Sequence, residues 1–88
     1  MSFHDTEINV IRHAESSGWL NAGPYDKSFD PVESVSALCD AIAVGEPVAI
    51  SEQMGRAALD MIVLCALIDI DLSRCIERAY QKIKGEKA

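Results

Sequence analysis

The groups in this 88-residue chain that could do chemistry are a set of carboxylates spread through its middle, Glu33, Asp40, Glu46, Glu52 and Asp60, with Arg56 among them. Acids at helical spacing share a face, and two such helices side by side can present oxygens to a hard cation such as Mg²⁺. Glu33 and Asp40 are seven positions apart, two turns along one face. Arg56 opposes that chemistry: its guanidinium is always charged, and it stands four residues before Asp60, within pairing reach on a helix. Other reaction types find little support. No glycine-rich phosphate loop is present. Cys39, Cys65 and Cys75 lie in apolar stretches without Cys-x-x-Cys spacing, which predicts reduced, buried and inert thiols in a cytosol. His4 and His13 lack a partnering cysteine pattern, so no zinc site is expected.

Composition bounds the partners. The formal net charge is −6, and it is uneven: residues 1–55 carry nine acids and two bases, residues 56–88 six bases and five acids. An acidic mean surface repels the phosphate backbone, so no nucleic-acid partner is expected. The longest apolar run, Met61–Ile68, falls far short of the roughly 20 residues that span a bilayer. Residues Met1–Asp5 lead directly into polar sequence, without a signal-peptide pattern. The expectation is one cytoplasmic domain over residues 1–88, with no membrane partner.

The elements that must position these groups are helices. Hydrophobic residues make up 49% of the chain but only five are aromatic, which favours helices packed on helices. A first helix is predicted from about Asp5 to Ser17, ended by Gly18. Residues Trp19–Asp30 contain Asn21, Gly23, Pro24 and Asp26 and read as a loop, with Trp19, Tyr25 and Phe29 packed over the core. Asp30 is a natural N-cap for a second helix, with Pro31 at N1 and Glu33 placed to bond back to the cap amide. Val35, Leu38, Cys39 and Ile42 then share a face, and Gly45-Glu46-Pro47 stops the helix.

A third helix is predicted from about Ser51. Beyond Ala57 it is apolar nearly all round, with Asp60 its one charge, and so should be buried on most sides. A chain this short has too little protein to cover such a helix, which predicts a homo-oligomer. Asp71 caps a fourth helix from Leu72 to about Lys84, ended by Gly85. Leu72, Cys75, Ile76, Ala79 and Ile83 form its buried stripe, and Arg74, Arg78, Lys82 and Lys84 decorate the rest.

This arrangement resembles the MazG-like family of all-α nucleoside triphosphate pyrophosphohydrolases. The stretches VESVSALCDAIAVGE (32–46), EQMGRAALDMIVLCALIDIDL (52–72) and RCIERAYQKIKGEKA (74–88) follow that family's second, third and fourth helices in one gap-free register. The resemblance implies a subunit of about four helices in a dimeric or tetrameric bundle. It also implies a Mg²⁺ site built from a Glu-Glu-x-x-Glu motif on one helix and a Glu-x-x-Asp motif on the next.

The departures fall on that site. Glu33 keeps the first Glu of the double-Glu motif, but Ser34, Ala37, Gln53 and Arg56 occupy the four ligating positions. No metal or cofactor is therefore expected. A Glu33–Arg56–Asp60 charge cluster filling the vacated space is one expectation. Two plainer ones compete with it: a capping role for Glu33, and an Asp60 that faces solvent or a subunit boundary. The resemblance further implies Tyr80, Lys82, Lys84 and Lys87 as candidate phosphate contacts, against the plainer reading of a solvated basic helix end.

Three functions follow as expectations. The first is a catalytically inactive relative, of the kind a phage or mobile element uses as a decoy or inhibitor, that binds a protein partner or a nucleotide. The second is an active pyrophosphohydrolase using Mg²⁺ on rearranged ligands, drawn from Glu33, Glu52 and Asp60 with Asp40 and Glu46. The third is a generic helical interaction module.

Overall fold

A computed structural model describes residues 2–21 and 29–87, with the Lys87 side chain outside the description. Among the described residues the chain is all-helical: α1 (Phe3–Ser16), a 3₁₀ turn (Trp19–Asn21), α2 (Pro31–Val44), α3 (Pro47–Leu67) and α4 (Leu72–Lys87). The all-α expectation holds. Tyr25 lies outside the described residues.

Each helix begins where a short polar side chain can take up free amides. The Ser2 hydroxyl accepts from the Asp5 amide at 3.2 Å, and the Asp5 carboxylate accepts from the Ser2 amide at 3.3 Å. This reciprocal cap starts α1 two residues earlier than the apolar spacing predicted. Gly18, at φ +77°, ends it. Asp30 caps α2 as expected, accepting from the amides of Val32 and Glu33, and Gly45 closes it in the left-handed conformation.

The start of α3 corrects the sequence reading. Glu46 is the N-cap, its carboxylate accepting from the Val48 amide at 3.2 Å, and Pro47 sits in the first turn. Pro47 therefore opens a helix instead of merely stopping one, and Ser51 lies inside it. Only Gly45 and Glu46 separate α2 from α3, so the two form a tight antiparallel hairpin.

At the other end of α3, the Ile70 amide donates to the Cys65 carbonyl at 2.8 Å and the Asp69 amide to the Ala66 carbonyl at 3.3 Å. This is a Schellman cap with Asp69, at φ +58°, in the place usually taken by glycine. The Asp71 carboxylate then accepts from the Arg74 amide as α4 begins. α4 runs through Gly85, which does not terminate it. No atom lies within 4 Å of a Cβ added there, so packing neither favours nor opposes the glycine.

The core is small: Ala14, Leu38, Ala57, Ile62 and Val63 are its buried apolar side chains, at the junction of α1, α2 and α3. Two expectations of burial are overturned in the single chain. The predicted stripe of α4 is open beyond Leu72, with Cys75, Ile76, Ala79 and Ile83 exposed. α3 beyond Ala57 is covered on most sides as expected, with Ala58 and Met61 left open to solvent. Cys39 and Cys75 are exposed and Cys65 is only partly covered. The physical reason is shared: α4 touches the body through its first turn, leaving too little chain to cover these faces. The radius of gyration, 14.5 Å, exceeds the ~12 Å of a compact domain of this length.

Candidate functional site

The inner faces of α2 and α3 meet at a buried carboxylate. Asp60 is 1% exposed. The Ser34 hydroxyl, from α2, donates to its Oδ2. Arg56, one turn earlier on α3, donates from Nε to its Oδ1 at 2.9 Å. Both carboxylate oxygens are thus satisfied from within the hairpin, which is what a charge removed from water requires.

Arg56 is anchored on a second side. Its guanidinium carbon stands 5.6 Å from the centroid of the Phe29 ring, within cation–π range. Phe29 in turn packs against Trp19 at 4.8 Å, and Trp19 meets the edge of His13 at 4.9 Å. The chain His13–Trp19–Phe29–Arg56 ties the end of α1 to the α2–α3 hairpin. The expected aromatic cover is in place for Trp19 and Phe29, which are partly buried.

Beside Asp60 lies a cavity of about 340 Å³ lined by Asp30, Glu33, Ser34, Ala37, Gln53, Arg56 and Asp60. Glu33, Ser34, Ala37, Gln53, Arg56 and Asp60, all singled out in the sequence, are thereby brought together. The charge cluster forms in altered composition. Arg56 and Asp60 pair as expected, but Asp60's second partner is Ser34, and Glu33 lines the cavity as an exposed residue. Asp60 faces the hairpin interior, not solvent. The Asp30 carboxylate is engaged with amides of α2, and Glu33 makes no return bond to that cap among the described hydrogen bonds.

Other candidates lie elsewhere. Glu52 and Asp40 are exposed and do not line the cavity, and Glu46 is occupied as the cap of α3. Tyr80, Lys82 and Lys84 are exposed on α4 and do not reach the cavity within one chain; the Lys87 side chain is outside the described residues. Among the described residues, no group of three or more His, Cys, Asp or Glu side chains is arranged to hold a metal ion.

One buried acid went unnoticed in the sequence. Glu7, 4% exposed, accepts from the Ser73 hydroxyl at 2.7 Å through Oε1, and His4 Nδ1 lies 3.4 Å from the same oxygen. The Ser73 bond fastens the first turn of α4 to α1. Glu7 also lines a second cavity of about 390 Å³, with Ile8, Ile11 and Ile62 among its walls and Glu15, Asp69 and Asp71 among its acids. Burial foremost, then the charges of Cys75, Glu7 and Asp71, pushes the Cys65 thiol at this cavity above its ordinary pKa. That lowers its thiolate fraction and makes it a poorer nucleophile than an ordinary thiol.

No helix among the described residues is long and apolar enough to cross a membrane. Compared with protein-family models, curated proteins and solved structures, the chain has no match in any of the three.

Proposed function

We propose that this chain is a degenerate MazG-like subunit that binds a nucleotide or a protein partner in the cytoplasm and does not hydrolyse nucleotide. The observation that carries this reading is the company Asp60 keeps. The positions that the resemblance assigns to metal ligands, Ser34, Ala37, Gln53 and Arg56, line one cavity, and two of them are spent on Asp60. A guanidinium bonded to the buried carboxylate supplies positive charge where a divalent ion would otherwise bring it, so the charge of Asp60 is balanced without a metal. A decoy or inhibitor role, as in a phage or mobile element, is consistent with a binding site that lacks the means of turnover.

The exposed stripes support a homodimer or homotetramer. Val35, Cys39 and Ile42 on α2, and Met54, Ala58, Met61 and Ile68 on α3, follow helical spacing and are solvent-facing. In an antiparallel hairpin whose inner faces meet at Ser34 and Asp60, both stripes fall on one side. They form an uncharged surface suited to a bundle with another copy.

The test is direct. Purified protein is incubated with a panel of deoxynucleoside triphosphates and Mg²⁺ or Mn²⁺, and pyrophosphate and monophosphate are measured, with calorimetry for binding. The expected result is no turnover, and any nucleotide affinity unchanged by a chelator. Metal-dependent turnover that disappears in Asp60→Asn would establish instead the active hydrolase with rearranged ligands.

A further inference from the structure

We propose that the cavity between α1 and the end of α3 binds a linear aliphatic diamine or polyamine, with one ammonium group at Glu15 and another at Glu7 and Asp69. This site lies apart from the Asp60 cavity and does not rest on the preceding reading.

The carboxylate of Glu7 points to a ligand. Its side chain is 5% exposed, and its described partners, the Ser73 hydroxyl and His4 Nδ1, both approach Oε1. Among the described residues nothing donates to Oε2. No fully enclosed side-chain oxygen among those residues lacks a partner, so Oε2 keeps an opening, and the space that Glu7 lines is this cavity of about 390 Å³. A carboxylate oxygen withdrawn from bulk water and left unmet is a place for a cationic donor. The cavity brings none of its own: Glu7, Glu15, Asp69 and Asp71 line it, and no lysine or arginine does.

The layout sets the kind of cation. Glu7, Ile11 and Glu15 recur every four residues along one face of α1. The two acids stand about 12 Å apart along the axis, at about 1.5 Å per residue. Glu7 is bonded to Ser73, just beyond α3, while the end of α1 is linked through His13 and Trp19 toward Phe29 and Arg56. α1 thus runs opposite to α3, which puts Asp69 and Asp71 at the Glu7 end and leaves Glu15 at the other. Between the ends the walls are apolar, with Ile8, Ile11, Ile62 and Ala66. Acids divided in this way do not converge on one ion, and among the described residues no group of three or more is arranged to hold a metal. Two ammonium groups joined by methylenes match both features, the charges at the acids and the chain along the isoleucines.

The test is calorimetry on the full-length chain in about 0.15 M salt, where diffuse attraction is screened, with octamethylenediamine and spermidine as probes. The expected result is saturable binding of one diamine per chain, at least tenfold tighter than octylamine. Glu7→Gln keeps an acceptor for Ser73 while removing the charge, and Glu15→Gln alters an exposed side chain. Each is expected to weaken the diamine at least tenfold with helicity unchanged by circular dichroism; if Glu7→Gln loses helicity, Glu15→Gln decides. Asp40→Asn, on α2 and outside the cavity, should bind as wild type does. The absence of saturation by either probe at millimolar concentration overturns the proposal. So does octylamine binding as tightly as the diamine, because one acidic end would then suffice. Equal weakening in Asp40→Asn also overturns it, because the attraction would then belong to the acidic chain as a whole.

Discussion

Ser34 and Asp60, twenty-six residues apart in sequence, are joined side chain to side chain inside the α2–α3 hairpin, and Arg56 completes the coordination of the same carboxylate. The bond spans the most extensive contact between two helices among the described residues, so its loss is felt by the whole hairpin.

Removing the hydroxyl tests that directly. Ser34→Ala leaves one oxygen of a buried carboxylate without a donor, which costs about 1–3 kcal/mol. For a domain of this size that lowers Tm by roughly 4–8 °C per kcal/mol. Thermal unfolding by circular dichroism reads the change, and a Tm unaltered within error would show that the bond contributes nothing.

Arg56 should behave asymmetrically. Arg56→Ala strands the buried acid and is expected to destabilise by about 1–3 kcal/mol, less than for a fully buried pair because the arginine is half in water. Replacing the whole group together, Ser34→Ala with Arg56→Leu and Asp60→Leu, is expected to restore stability to near wild type, because an apolar hairpin interior needs no donors. Chemical denaturation of the single and triple variants separates the two outcomes.

At the end of α3, Asp69 holds a left-handed conformation at φ +58° that costs an ordinary residue about 1–2 kcal/mol. Asp69→Gly relieves it and should stabilise by about 0.5–1 kcal/mol, after the entropy that glycine adds to the unfolded chain is deducted. A fall in the denaturation midpoint would mean that the carboxylate does something at this cap that its backbone does not reveal.

The three thiols should separate by rate. Cys39 and Cys75 are exposed and should react promptly with an aromatic disulfide reagent in dilute protein. Cys65 should lag. Because its pKa is raised, its thiolate fraction at pH 8 is smaller than that of an ordinary thiol, and its rate should go on rising with pH beyond the point where an ordinary thiol levels off. At higher protein concentration Cys39 should slow as assembly through the α2–α3 stripe covers it. Mass spectrometry of labelled peptides assigns each rate.

Much of the frame was legible from the residues. Asp30-Pro31 and Gly45 announce the start and end of α2, because cap chemistry is local and depends on side chains a few positions away. The pairing of Arg56 with Asp60 was legible for the same reason, being one helical turn. The bonds that Ser34 and Glu7 make were not. A serine on an apolar face and a glutamate in a polar first turn look ordinary until the fold brings Asp60 and Ser73 to them, and sequence spacing carries no information across such separations. Glu46-Pro47 was misread because a proline after a glycine signals the end of one helix as readily as the start of the next. The burial forecast for α4 failed because periodicity identifies an apolar face without saying which molecule covers it.

The Gly45–Glu46 link has a mechanical consequence. Two residues permit almost no divergence of α2 from α3 at that end, so the hairpin behaves as a pair of jaws with a fixed pivot. Widening of the neighbouring cavity must then occur at the opposite end, where Asp30 and Glu33 begin α2 and where the Phe29 ring rests on Arg56. A molecule admitted between the jaws would be received at that end, beside the Arg56 side chain that the Phe29 ring holds in place.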